Sequence, residues 1–257
     1  MGFLTDITAA TRRGLAEHPL DVAALRTAAA AAPPARSLAA ALRSRTPAVI
    51  AEIKRSSPSA GEIASPDPRD QARVYAQAGA AAISVLTERD HFHGSLDDLR
   101  AVRAVTDLPV LRKDFLVEVS QVVQARAAGA DAVLLITACL SDQELVAMLA
   151  VASQWGMDVL VETHGSADLD RALATDAQII GVNARDLETL EIDPERALAQ
   201  LARIPRGRIA VMESGISTRA QVVAAVTAGA SGILIGEALM RATDPASALR
   251  RLTGEEQ

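Results

Sequence analysis

Unbroken apolar runs recur eight times along the chain, and each stops at polar residues or glycine. They are AVIAEIK (48–54), AAISVLTE (81–88), PVLRKDF (109–115), AVLLIT (132–137), DVLVETH (158–164), IIGVNAR (179–185), IAVMESG (209–215) and GILIGE (232–237). A strand buried on both faces reads as a continuous apolar run, and parallel strands need long crossovers, usually helical. The intervening stretches supply them, with helical patterns near 67–78, 95–105, 117–128, 141–155, 166–174, 194–203, 217–227 and 244–252. Eight such units predict an α/β fold, a single (β/α)8 TIM barrel, whose chemistry sits at the C-terminal ends of its strands. Those ends carry Glu52, Lys54, Lys113, Glu162, Asn183 and Glu213.

Three near-repeats, AGAAAISVL (78–86), AGADAVLLI (128–136) and AGASGILIG (228–236), fix the unit boundaries. In each, a glycine closes a helical pattern by adopting the left-handed conformation, and an apolar strand follows. Ser141, Asp193 and Ser217 stand where helix N-caps are expected, and Pro194 suits a first turn. Residues 1–46 precede the barrel at 47–257 and read as a helical extension of the same domain, with helices around 4–17, 21–31 and 37–44. Such an extension can cap the barrel bottom, line its top or remain mobile.

Composition narrows the function. With 49% hydrophobic residues but 2% aromatic, aliphatic side chains must fill the core. The 26 basic and 32 acidic residues leave a net charge of −6, so neither a nucleic-acid surface nor an anionic membrane patch is expected. Any anionic ligand must then be held by a local site. Cys139 is the only cysteine, which indicates a reducing, cytoplasmic setting and a buried inert thiol. No apolar stretch approaches the roughly 18 residues that span a bilayer.

The strand ends are then read for chemistry. Glu52 and Lys54 are two apart on a strand and face the same space, where the chain opens into a loop with Ser56, Ser57 and Pro58. In RKDF, alternation turns Lys113 inward and leaves Arg112 and Asp114 as an outward pair. An inward lysine pressed among other cations is expected to have a lowered pKa. Glu162 lies across the barrel and makes an acid–base couple with Lys113 possible, or a mutually neutralising pair. Asn183 can donate and accept, and Arg185 offers a planar fork for a carboxylate or phosphate, unless it pairs with Asp186 or Glu188. His164 reads as structural. His91 and His93 alternate like a metal pair but have no suitably spaced third ligand, so no metal is expected. The glycine-bearing loops Glu213-Ser214-Gly215 and Gly236-Glu237 end consecutive strands, where barrels often bind phosphate.

Taken together, AEIKRSSPS, SVLTE with FHGS, PVLRKDF, GADAVLLI, LVETH, IGVNARDL, ESGI and LIGEALMR resemble the indole-3-glycerol phosphate synthase family over residues 48–241; PPARSL (33–38) does as well. The resemblance implies conversion of 1-(2-carboxyphenylamino)-1-deoxyribulose 5-phosphate to indole-3-glycerol phosphate, CO2 and water, without metal or organic cofactor. It gives Lys113 the role of general acid and makes Glu162 and Glu52 the donor and base for dehydration. Lys54 would hold substrate anions and is a further catalytic candidate for the dehydration, Asn183 would orient reacting groups, and Arg185 would contact substrate or fix its loop. Ser57 and Glu213 would join the substrate site. Ser214, Gly215, Gly236 and Glu237 would receive the phosphate, and Phe92, Phe115 and Leu187 would contact the anthranilate ring. Ser120 stands where the family usually has tyrosine, Met212 where it often has a small residue, and the Ser59-Ala60-Gly61 loop lacks its common lysine. The nearest rival, phosphoribosylanthranilate isomerase, uses a Cys/Asp pair; here the cysteine follows the fourth strand, not the first. A silent sugar-phosphate-binding relative is the other alternative, against which Lys113 and Glu162 both speak. The expected partner is one phosphorylated small molecule, and the expected assembly a monomer or weak homo-oligomer.

Overall fold

Each apolar run becomes a strand, and each strand is shorter than its run because the last residues of the run turn into the following loop. In the computed structural model, which describes residues 2–59 and 61–255, the strands are β1 (Ala48–Ile53), β2 (Ala82–Leu86), β3 (Val110–Lys113) and β4 (Ala132–Ile136). They continue with β5 (Asp158–Thr163), β6 (Ile179–Asn183), β7 (Ile209–Glu213) and β8 (Gly232–Ile235). Every strand pairs in parallel with its sequence neighbours, and β1 closes on β8 through Ala48↔Gly232 and Val49↔Ile233. This closed eight-stranded barrel is the predicted TIM barrel. Ala60, in the loop noted for its missing lysine, lies outside the described residues.

Three helices precede the barrel: α1 (Phe3–Glu17), α2 (Val22–Ala31) and α3 (Leu38–Arg43). They occupy both ends of it. At the bottom, Leu38 and Leu42 of α3 are fully buried. There the Arg36 amide donates to Asp131 Oδ1 at 2.9 Å, and Ser37 Oγ and the Ala39 amide donate to Asp158 Oδ2 at 3.0 and 2.9 Å. At the top, α1 lies over the mouth: the Leu4 amide donates to the Leu187 carbonyl at 3.1 Å.

The crossover helices are α4 (Pro68–Gln77), α5 (Leu96–Arg103), α6 (Val119–Ala127), α7 (Asp142–Gln154), α8 (Ser166–Leu173), α9 (Pro194–Leu201) and α10 (Arg219–Thr227). A short α11 (Glu237–Met240) and α12 (Pro245–Thr253) are the last helices among the described residues. Gly79, Gly129 and Gly229, the glycines of the near-repeats, have φ of 91°, 91° and 110°, as helix-stopping residues must. Ser141 and Asp193 cap α7 and α9, accepting from the Glu144 and Arg196 amides at 3.3 and 2.9 Å. Ser217 does not cap α10. Thr218 does, because Gln221 lies three residues beyond it and completes a capping box, its Oε1 accepting from the Thr218 amide at 3.0 Å. A small antiparallel hairpin, Ser56–Ser57 with Gly61–Glu62, follows β1 and was not foreseen.

Candidate active site

Alternation along the strands places one residue from almost every strand end in a single cavity at the mouth. It measures about 930 Å³ out to its opening. Its charged floor is Glu52, Lys54, Lys113, Glu162 and Glu213, with Asn183 beside them; its apolar wall includes Leu86, Leu134, Ile136 and Leu234. All fifteen residues expected in the site line this one cavity. Arg112 and Asp114 form the outward pair: Arg112 Nη2 donates to Asp114 Oδ2 at 2.9 Å, and Nη1 donates to the Gln121 carbonyl of α6 at 3.0 Å.

The floor is a network of opposite charges. Lys113 Nζ lies 3.2 Å from both Glu162 Oε2 and Glu213 Oε2, and Lys54 Nζ lies 3.1 Å from Glu52 Oε1. Asn183 Nδ2 donates to Glu162 Oε1 at 2.9 Å, so both oxygens of that carboxylate are engaged. Glu213, only 1% exposed, differs: neither of its oxygens has a well-aligned hydrogen-bond partner among the described residues, and Lys113 meets it as a 3.2 Å ion pair.

The electrostatic consequence reverses one expectation. Burial works against the Lys113 charge, but Glu162, Glu213 and Glu52 surround it and raise its pKa. No other cation presses on it to lower the value, since the nearest neighbours are carboxylates. Three buried carboxylates share two ammonium groups. The excess falls on Glu213, whose pKa is raised by burial and then by the Glu162 charge, against the pull of Lys113.

The rim is held from behind. Asn183 Oδ1 accepts from the Arg185 amide at 3.0 Å, and the Asn183 carbonyl accepts from Arg196 Nη2 at 2.9 Å. His164 is structural, as expected: Nδ1 donates to the Asn183 carbonyl at 3.2 Å and Nε2 faces Asp186 Oδ2 at 3.2 Å. Arg185 does not pair with Asp186 or Glu188. Its Nη1 donates to the Leu190 carbonyl at 2.9 Å, and Glu188 accepts from Thr5 Oγ1 of α1. At the phosphate end, Ser214 and Gly215 take successive left-handed conformations, φ 64° and 72°, which turn the chain sharply after β7. The Glu237 side chain points at Arg241, Nε–Oε1 3.0 Å, so a ligand there would meet its backbone N–H instead.

Phe3 and Leu190 were missed by sequence reasoning, and both line the cavity. Phe3 meets Phe115 edge-on, ring centroids 6.0 Å apart, and Phe115 meets Phe92 at 6.1 Å. The chain has three phenylalanines, and all three converge here. In so aromatic-poor a sequence, that scarcity was the available signal. Cys139 is buried outside the cavity, its thiol pushed up to about 12 by burial, which suits an inert role. His91 faces Glu88 Oε1 at 3.5 Å and meets the Phe3 ring edge-on.

A model of the indole-3-glycerol phosphate synthase family matches residues 4–252. The chain belongs to that family. The synthase of Nocardioides sp. is 48% identical over the whole of both chains. That of Mycobacterium avium is 48% identical over 92% of this chain and 87% of its own, and that of Micrococcus luteus 47% over 97% and 96%. Among solved structures, a 3-hexulose-6-phosphate synthase superposes with TM-score 0.65 at 19% identity, covering 80% of this chain and 98% of its own. The tryptophan synthase α-subunit of Pyrococcus furiosus gives 0.61 at 16%, covering 80% and 98%. At those identities the likeness is one of fold. As a member of the indole-3-glycerol phosphate synthase family, the chain is a decarboxylating lyase of tryptophan biosynthesis that acts on a phosphorylated small molecule. The family's strand-end motifs are the segments that line the cavity. No helix among the described residues is long and apolar enough to cross a membrane.

Proposed function

We propose that the cavity closes the indole ring with Lys113 as first proton donor and the three buried glutamates as its proton reserve. The observation that carries this reading is Lys113 Nζ set 3.2 Å from both Glu162 and Glu213 on the cavity floor. The aromatic carbon bearing the carboxylate attacks the ribulose carbonyl carbon; the new C–C bond forms as the carbonyl oxygen takes a proton from Lys113. The bond to the carboxylate then breaks, CO2 departs, and its electron pair restores the aromatic ring. A second proton converts the hydroxyl to leaving water, and a base removes the last ring proton to complete the indole. Glu162 and Glu52 divide these two transfers, and Glu213, biased toward its protonated form, returns a proton to Lys113.

Lys54 and Arg185 hold substrate anions, Asn183 fixes Glu162, and Ser57 adds a hydroxyl to the hairpin side. The phosphate rests on Ser214, Gly215, Gly236 and Glu237 where the last two strands end. Phe92, Phe115 and Leu187, joined by Phe3, sandwich the anthranilate ring. Holding the flexible substrate folded is worth as much as the acids, since effective molarity contributes about 7–11 kcal/mol in favourable cases. Residues 1–46 act as part of one domain with the barrel at 47–257, because α1 and α3 seal its two ends. The scattered exposed apolar residues Val22, Val119, Val146, Ile192 and Val223 support a monomer or weak homo-oligomer. The single thiol, buried and inert, suits the cytoplasm.

The test adds purified protein to the carboxyphenylamino-deoxyribulose phosphate with EDTA present and follows indole fluorescence. A growing signal that is lost in Lys113→Met supports the reading. A signal undiminished in that variant refutes it.

A further inference from the structure

We propose that Gly181, in the middle of β6, is a positioning residue for the Glu213 carboxylate: the missing side chain is the slot in which that carboxylate sits. This rests on the catalytic reading of Glu213 and extends it to a residue with no reactive group. Glu213 is buried, and neither oxygen has a hydrogen-bond partner among the described residues. The Lys113 ammonium, 3.2 Å from Oε2, draws one oxygen, and what shapes the space around the other, Oε1, is packing. A Cβ built on Gly181 would fall 2.2 Å from Glu213 Oε1 and 3.3 Å from its Cδ. Real carbon–oxygen contacts do not come that close, so any side chain at 181 must push the carboxylate away from its present position over the barrel floor.

Backbone conformation does not explain the glycine. Gly181 lies inside a regular strand, paired with Glu162 on one side and Val211 on the other, where residues with side chains are favoured over glycine. Its neighbours, Ile180 and Val182, are fully buried β-branched residues. The remaining close atom is Leu160 Cδ1 at 3.2 Å, the end of a flexible side chain. The same arrangement recurs across the mouth, where a Cβ on Gly236 would fall 2.2 Å from Glu52 Oε1. In both places a lysine pairs with the carboxylate, Lys54 with Glu52 at 3.1 Å and Lys113 with Glu213 at 3.2 Å, and a glycine leaves room for its oxygen.

The experiment is a double-mutant cycle of Gly181→Ala with Glu213→Ala, read by steady-state kinetics and by thermal melting. In the Glu213 enzyme, Gly181→Ala is expected to lower kcat about 100-fold with KM within about 3-fold, the loss typical of a reacting group displaced by about 1 Å. The limb of the kcat–pH profile that depends on Glu213 is expected to move, which a general loosening of the barrel would not cause. In the Glu213→Ala enzyme the atoms that the methyl meets are gone, and the same change should leave both kcat and Tm nearly unaltered. Equal losses in both backgrounds, or no loss in the Glu213 enzyme, overturn the proposal. Should Gly181→Ala fail to fold, the double variant decides. Recovery of a cooperative melt supports the slot, and continued misfolding assigns the clash to Leu160 and refutes it. Full activity of Glu213→Ala alone would remove the catalytic role of Glu213, while the melting cycle would still report on the slot.

Discussion

Lys113 Nζ donates to Glu162 Oε2 at 3.2 Å, joining the end of β3 to the end of β5 at the centre of the cavity. An ammonium so placed stays charged through the physiological range and is available as a proton donor whenever substrate arrives. Replacing it with methionine keeps most of the side-chain volume and removes the donor. We expect Lys113→Met to lower kcat by about 10²–10⁴, the worth of one well-placed acid, while a substrate analogue with the ribulose carbonyl reduced to an alcohol still binds. Single-turnover indole fluorescence measures the first, and titration calorimetry the second.

Glu213 makes stability depend on pH in a defined direction. Its pKa rises from an ordinary 4.5 to about 8 on folding, so between those values the native state binds a proton that the unfolded chain releases. The resulting stability is complete below pH 4.5 and is lost as pH rises toward about 8. Glu213→Gln cannot titrate. The melting temperature of the parent enzyme should therefore fall relative to Glu213→Gln as pH increases across this window. Parallel curves would show that Glu213 ionises like a free carboxylate.

How much of this was legible in the sequence depends on whether the signal was local. Strand ends were, since a double-buried strand is an apolar run and charge stops it; β5 spans Asp158–Thr163 against a run of 158–164. Alternation put Glu52, Lys113 and Glu162 inward for the same reason. The α10 cap was legible too but misassigned: Ser217 and Thr218 both suit a cap, and the glutamine three residues after Thr218 decides between them. The surroundings of Lys113 were not legible. Alternation says that a side chain enters the barrel, not every residue that meets it there: Glu162 was foreseen opposite Lys113 but Glu213 was not, so a lowered Lys113 pKa was expected where two carboxylates raise it. Glu213 was grouped with the phosphate loop that follows it, although it belongs to the last inward layer of β7.

Arg196, on α9, braces the catalytic face from outside the cavity. Its guanidinium donates to the His164, Asn183 and Ala184 carbonyls, tying the ends of β5 and β6 together. Hydrogen bonds from a charged group contribute about 1.5–3 kcal/mol, and one of these carbonyls belongs to Asn183 itself. Arg196→Ala should lose about that much stability in urea unfolding and reduce kcat through Asn183. Arg196→Lys, with one point charge instead of a fork, should recover part of both.

Phe3 tests whether the N-terminal helix belongs to the substrate site. Its ring is edge-on to Phe115 at 6.0 Å and to His91 at 5.1 Å, and α1 is fastened to the loop after β6 by the Leu4 amide and by Thr5 on Glu188. An aromatic contact of this kind is worth about 0.5–1.5 kcal/mol beyond its buried area. Phe3→Ala should therefore raise KM by about 2- to 12-fold and leave kcat nearly unchanged, because the ring packs edge-on against Phe115 and His91 and carries no group that moves a proton. Thr5→Val cuts the link to Glu188 but keeps the ring, and should raise KM less. If Thr5→Val matched Phe3→Ala, the helix would act by fastening the loop and the ring would contribute nothing of its own; initial-rate measurements across substrate concentration separate the two.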